Sequence, residues 1–189
     1  MPGTYEPPRL TLPVGERDHS EGPLDAPIVL VEYGDYQCPY CGAAYPVVKR
    51  LQKELGSTLR FVFRNFPITN AHPHAEWAAE TAEAAAAEGK FWEVHDFLYE
   101  NQRLLGNEEP FARYEAKLKL DVGKIAREVA QHAFSARIEE DFLSGVRSGV
   151  NGTPTFFING SRYDGPPEVP SMLEALAPGP GAARRKSRP

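Results

Sequence analysis

Cysteine is scarce in this chain, with two in 189 residues. That leaves one possible disulfide and no second Cys-X-X-Cys to complete a four-cysteine metal site. No apolar run is long enough to span a membrane. Positive charge is not in excess: 21 Lys and Arg against 26 Asp and Glu give a net charge of −5, which removes the electrostatic case for nucleic-acid binding. Met1 to Asp25 carries five prolines and mixed charge but lacks the apolar core of roughly 7 to 15 residues that marks a secretory signal peptide. The expected compartment is the cytoplasm, with an exported mature form left open. A hydrophobic fraction of 41% suits one globular unit with a real core.

Both cysteines fall in one stretch. Ile28 to Val31 is a continuous apolar, mostly β-branched run, the pattern of a strand buried on both faces. Gly34 and Asp35 break it, and Cys38-Pro39-Tyr40-Cys41 follows. A helix beginning near Pro39 would put that proline in the first turn, where its missing N–H costs nothing. Cys38 would then sit at the helix N-terminus, where unpaired amides and the helix dipole favour thiolate over thiol. In such settings the thiol pKa falls from about 8.5 to roughly 3.5 to 7.5. Cys38 is therefore the expected nucleophile, and Cys41, one turn further in, the resolving cysteine. Two other readings stand beside redox chemistry. A structural disulfide closing so short a loop would constrain the unfolded chain little. Zinc would need two more ligands, for which His72 and His74 are candidates, although their Pro-flanked spacing also reads as a turn entering a helix.

A second segment, Ser148 to Gly160, holds Gly152-Thr153-Pro154-Thr155, then a β-rich run to Ile158 and the hairpin signal Asn159-Gly160. Together with Cys38-Pro39-Tyr40-Cys41, this pair of motifs resembles the thioredoxin superfamily, and more closely the DsbA-like thiol-disulfide oxidoreductases. The resemblance covers roughly Gly22 to Leu176. It implies an α/β thioredoxin-like fold into which a helical domain is inserted, and an enzyme exchanging disulfides with protein or peptide thiols.

The resemblance also implies roles at particular positions. Pro154 would be cis and lie against the active-site cysteines, and Thr153 would pair its backbone with an extended partner segment. Glu32, in the buried strand, would assist proton movement to and from Cys41, since a buried carboxylate has a raised pKa; a strand-edge carboxylate facing water is the alternative. Pro39 and Tyr40 would tune the potential, and Pro-Tyr is the pairing typical of glutaredoxins. No metal and no organic cofactor are expected, because a Cys38–Cys41 disulfide itself carries two electrons. Its redox partner is unidentified. A reducing cytosol would favour disulfide reduction or isomerisation over oxidation. Rival readings are a non-catalytic zinc- or client-binding module and a glutathione-linked, glutaredoxin-like reductase.

The rest of the chain organises around these motifs. We expect an extended segment over 1–25, a thioredoxin-like domain over 26–69 and 150–176, a helical insertion over 70–149 and a disordered tail over 177–189. After Cys41, Tyr45, Val48, Leu51 and Leu55 keep one helix face inward as far as Gly56. Leu59 to Phe63 gives a strand parallel to the first, with Arg64 expected at a solvated strand end. In the insertion, helices are expected over Glu76–Glu88, Lys90–Asn101, Phe111–Leu120, Val122–His132 with Asp121 as N-cap, and Ala136–Gly149. The last should turn Ile138, Phe142, Leu143 and Val146 inward. Aromatics around the Lys90–Asn101 helix read as core, with His95 packed among them. Ser161 to Tyr163 and a helix over Pro167–Leu176 close the fold. The protein is expected to be a monomer, with no membrane or nucleic-acid partner; the basic Arg184, Arg185 and Lys186 read as a solvated tail.

Overall fold

The computed structural model describes residues 6–177; most of the expected tail, with Arg184, Arg185 and Lys186, lies outside the described residues. The apolar run of the first motif becomes β2 (Ile28–Gly34), and the stretch after Cys38 becomes α1 (Pro39–Leu55). Gly56, at φ +50°, ends α1 in a conformation that favours glycine. β3 (Leu59–Asn65) follows and lies parallel to β2, Leu30 opposite Phe61 and Glu32 opposite Phe63. Because side chains alternate along β2, Leu30, Glu32 and Gly34 face one side of the sheet and Val31 and Tyr33 the other.

Two more strands complete that part of the sheet. β4 (Thr155–Ile158) runs antiparallel to β2 with Glu32 opposite Phe156. β5 (Ser161–Tyr163) folds back on β4 through Asn159 and Gly160, both at positive φ, the conformation that the Asn-Gly signal predicts. One strand was not visible in the sequence: β1 (His19–Glu21) pairs antiparallel with β3, giving the order β1-β3-β2-β4-β5.

Helices cover both faces. The Leu30 face packs on α1 and on α7 (Val169–Leu176), where Val48, Leu51, Met172 and Leu176 meet Phe61, Phe63 and Phe156. The same core continues into the helical region through α2 (Ala75–Ala86) and α3 (Phe91–Glu100). Ala78, Ala82 and Ala85 let α2 and α3 approach closely, and Phe91, Val94 and Leu98 fill the space between. His95 is buried among aromatic rings, Phe63 and Tyr99 edge-on to it, as the core reading expects. Two shorter helices follow, α4 (Glu108–Lys117) and α5 (Val122–Ala130), with Asp121 accepting a hydrogen bond from the Lys124 amide at the start of α5. α6 (Ser135–Arg147) returns the chain across the opposite face of the sheet. This is the α/β thioredoxin-like fold with its inserted helices.

Two expectations on that opposite face are corrected. Arg64 is not at a solvated strand end. It is fully buried, its Nε donating to Asp18 Oδ1 at 2.8 Å and its Nη1 to the Tyr33 hydroxyl at 2.9 Å and the Leu12 carbonyl at 3.0 Å. The inner face of α6 is also rotated from the expected one. Ile138 is buried, but Leu143 and Val146 are exposed, and Asp141, Ser144 and Gly145 face inward. The cause is polar: Asp141 takes Arg17 and Arg137 and accepts from the Asn65 amide, and Ser144 meets the Tyr33 hydroxyl at 2.8 Å. Satisfied hydrogen bonds and ion pairs make this polar face the better one to bury.

Candidate active site

The loop between β2 and α1 sets the two thiols. Cys38 is the N-cap of α1, with extended backbone at φ −66° and ψ 122°, and Pro39 opens the first turn. The Cys38 amide donates back to the Asp35 carbonyl at 3.1 Å, and the Gly42 amide to the Cys38 carbonyl at 3.0 Å. The Tyr40 and Cys41 amides of this first turn are close enough to sulfur to favour its thiolate. Both cysteines are free thiols, Cys38 with 3% of its surface exposed and Cys41 with none. Tyr40, between them, is 74% exposed and projects into solvent beside the motif.

Their environments push the two thiols apart. A hydrogen bond from the Cys41 thiol, opposed by burial and helped by Thr153 and the Cys41 and Tyr40 amides, lowers the Cys38 pKa to about 5. Cys41 goes the other way, pushed well up by burial and by donating its hydrogen bond to Cys38. So one sulfur is a thiolate near neutral pH and the other holds its proton.

The second motif supplies the opposite wall. The Thr153–Pro154 peptide bond is cis, and the Thr153 carbonyl oxygen lies 3.3 Å from Cys38 Sγ, within reach of the thiol proton. Once that proton is gone, the Thr153 hydroxyl, buried and otherwise without a partner, can donate to the thiolate. Thr155 fixes the turn by donating from its hydroxyl to the Gly152 carbonyl at 2.7 Å.

Beneath the thiols lies Glu32, on the Leu30 face of β2 and 3% exposed, which removes the reading of a strand-edge carboxylate facing water. Burial, reinforced by the negative charge of Cys38, raises its pKa to about 8. Among the described residues its Oε1 has no hydrogen-bond partner. The Tyr99 hydroxyl is likewise buried and unpartnered, and it occupies space that a side chain at Gly34 would fill. A buried carboxyl with a pKa near neutrality and an open oxygen can take up and return a proton.

His72 and His74 do not approach the thiols. His72 Nδ1 is 2.7 Å from Asp35 Oδ2, and the His74 ring lies against Gly106. The candidate zinc ligands therefore belong to the turn entering α2.

Two supporting residues escaped the sequence reading. Asp35, 1% exposed, accepts from the Gln37 and Ile68 amides and holds His72, and its own amide points at Cys41 Sγ at 3.5 Å. Gln102 donates from Nε2 to the Tyr36 and Cys38 carbonyls at 2.8 and 2.9 Å, bracing the loop from the far end of α3. The available signal for Gln102 was Gly42, whose missing Cβ is the space that Gln102 fills. Asp35 was flagged only as a strand breaker.

A family model described as Thioredoxin matches residues 15–177. The chain belongs to the thioredoxin family. Solved structures place this thioredoxin-family fold beside DsbA-like proteins. BdbD from Bacillus subtilis, in its oxidised form, superposes with a TM-score of 0.76 at 21% identity over 90% of this chain and 94% of its own. A thioredoxin-like oxidoreductase from Silicibacter pomeroyi does so with 0.73 at 26% identity over 86% and 91%. Wolbachia pipientis α-DsbA1 gives 0.74 at 18%, over 88% and 92%. Sequence relatives carry a different name. A Na(+)/H(+) antiporter NhaA 3 of Salinispora tropica is 42% identical over 176 residues, 93% of this chain and 27% of that protein. An NhaA of Herminiimonas arsenicoxydans is 39% identical over 173 residues, 92% of this chain and again 27% of the relative. The thioredoxin-family chain thus spans about a quarter of the length of these curated relatives.

Proposed function

We propose that this chain is a thiol-disulfide oxidoreductase acting on protein substrates through Cys38 and Cys41. The observation that carries the reading is the asymmetry of the pair: Cys38 Sγ at a helix N-terminus, its pKa lowered to about 5, against a Cys41 buried behind it with its pKa raised. In the reducing direction the Cys38 thiolate attacks a substrate disulfide and forms a mixed disulfide, and the first substrate sulfur leaves as a thiolate. Glu32 in its ionised form accepts the Cys41 proton, and Cys41 sulfur attacks Cys38 sulfur, forming the Cys38–Cys41 bond and breaking the mixed disulfide. The second substrate thiolate leaves, and the enzyme holds a Cys38–Cys41 disulfide, oxidised by two electrons. In the oxidising direction each step reverses and Glu32 returns the proton. The Thr153 backbone, beside Cys38, is the edge on which an extended partner segment would lie. No metal or organic cofactor enters this scheme.

The antiporter relatives fit the same reading. No helix among the described residues is long and apolar enough to cross a membrane, and the stretch they share with this chain contains most of residues 15–177. We therefore assign the similarity to a redox segment rather than to ion transport.

The test is turnover of a disulfide-bonded protein such as insulin. Cys38→Ser should abolish reduction, and Cys41→Ser should accumulate mixed disulfides with clients. Full activity in Cys38→Ser would overturn the assignment. Full glutathione-dependent activity in Cys41→Ser would move it to a glutaredoxin-like reductase that works through Cys38 alone.

A further inference from the structure

Away from the thiols, α2, α4 and α5 enclose a cavity of about 370 Å³. Part of its wall is apolar, with Trp77 and Phe111 edge-to-face at 5.0 Å and Ile125 and Val129 also lining it. Among the described residues that line it, the basic side chain is His132 and the acidic ones are Glu76, Glu80, Glu108 and Glu115.

Two of these carboxyls belong to largely buried residues and are short of partners: Glu80 Oε1 is fully buried, and the Glu115 carboxylate is accessible from the cavity it lines. Glu115 is 5% exposed, and its carboxylate makes no hydrogen bond or ion pair among the described residues. Glu80 is fully buried; its Oε2 accepts from the Phe134 amide at 3.0 Å, but its Oε1 has no hydrogen bond and lies 3.9 Å from His132 Nδ1. A carboxylate on a largely buried residue, with no hydrogen bond or ion pair, gains most from a cation that reaches it through the cavity. Burial, together with the negative charge of Glu88, already lifts Glu115 to about 7, and Lys124 is engaged with Glu88 at 3.5 Å.

We propose that this cavity binds a small organic ammonium ion with an apolar body, its nitrogen on Glu115 and its hydrocarbon part against Trp77 and Phe111. Aromatic walls suit the apolar body of such an ion through contact area, and the Glu115 carboxylate suits its charge. A bare metal ion fits less well, since no group of three or more His, Cys, Asp or Glu among the described residues is placed to hold one. The volume falls in the range of small-molecule sites, roughly 300 to 1,000 Å³. The site is independent of the thiol chemistry: neither Cys38, Cys41 nor Glu32 lines it.

The experiment is titration calorimetry of the full chain at about pH 8, where Glu115 is ionised. The probes are 2-phenylethylammonium and its neutral counterpart 2-phenylethanol. We expect saturable one-to-one binding of the amine at least tenfold tighter than the alcohol. In Glu115→Gln, of equal volume, amine affinity should fall to that of the alcohol, with unchanged insulin reduction. Equal binding of both probes by the unmodified protein, saturation by neither, or a Glu115→Gln protein that keeps its preference for the amine would each overturn the proposal. The first two need no variant, so a folding defect in Glu115→Gln would not shelter it.

Discussion

Cys38 Sγ and the Thr153 carbonyl oxygen, 115 residues apart in the chain, lie 3.3 Å apart in the fold. The Thr153 hydroxyl, buried and otherwise unpartnered among the described residues, is one of the groups that lower the Cys38 pKa. Thr153→Val removes the hydroxyl and keeps the shape. We expect the Cys38 pKa, near 5, to rise by a fraction of a unit to one unit, read from the pH dependence of thiolate ultraviolet absorbance, with Thr153→Ser close to the parent protein. An unchanged titration in Thr153→Val would remove the hydroxyl from the account.

Glu32 gives a pH dependence of stability whose sign is fixed by burial. Its pKa in the fold is about 8 against 4.5 for an unperturbed glutamate, so the folded state binds a proton that the unfolded state releases between those values. Stability of the reduced protein should fall as pH rises through that window, by on the order of a few kcal/mol from this group. Glu32→Gln should flatten the slope in urea denaturation, and it should also slow resolution by Cys41. A slope in the variant equal to that of the parent would assign the effect elsewhere.

Arg64 and Asp18 form an ion pair in which both side chains are fully buried. Burial alone would raise the Asp18 pKa, but hydrogen bonds from Arg64 and from the Gly15 amide outweigh it and hold the carboxyl below its usual value. Arg64→Ala leaves that charge without its partner, and we expect a loss of about 3 to 5 kcal/mol in chemical denaturation. Arg64→Met with Asp18→Asn should lose less. A single mutant within 1 kcal/mol of the parent would show that the pair is dispensable.

Gly34 tests how tightly the floor of the site is packed. A Cβ there would run into the Phe63 ring and lie 2.8 Å from the Tyr99 hydroxyl, and Phe63 is fully buried. Gly34→Ala should cost about 1 to 3 kcal/mol through overpacking, seen as a lowered denaturation midpoint. Leu143→Gln, on the exposed side of α6, should by contrast change stability by no more than about 0.5 kcal/mol.

What could be read from the sequence was local. β2, the start of α1 at Pro39, the stop at Gly56 and the Asn159-Gly160 turn are each set by residues adjacent to the feature they make. Cys38, Cys41 and Pro154 stand out in the sequence because their motifs are short and contiguous, and the fold brings Cys38 beside the Thr153–Pro154 bond. The misreadings share one cause. Arg64 looked like a strand end because Asp18 and the Leu12 carbonyl that receive it lie far upstream. The inner face of α6 was assigned by counting apolar residues, whereas Asp141 and Ser144 become the better residues to bury only once Arg17, Arg137 and Tyr33 are beside them. β1 escaped because three residues, His-Ser-Glu, carry no apolar pattern and take their strand geometry from the edge of β3. Gln102 is a polar residue that gains meaning only from the absent side chain of Gly42.

The clasp around Arg64 bears on how this unit is to be cut from longer proteins. Leu12 and Pro13 offer their carbonyls to the guanidinium, Asp18 its carboxylate, and Thr11 bonds through its amide and hydroxyl to Ser148, just past the end of α6. A fragment begun at β2, where the recognisable motif begins, would strip the cation of most of its ligands and unpin the C-terminal end of α6. A fragment meant to keep this clasp therefore starts before Thr11, and one begun at the cysteine motif should lose stability.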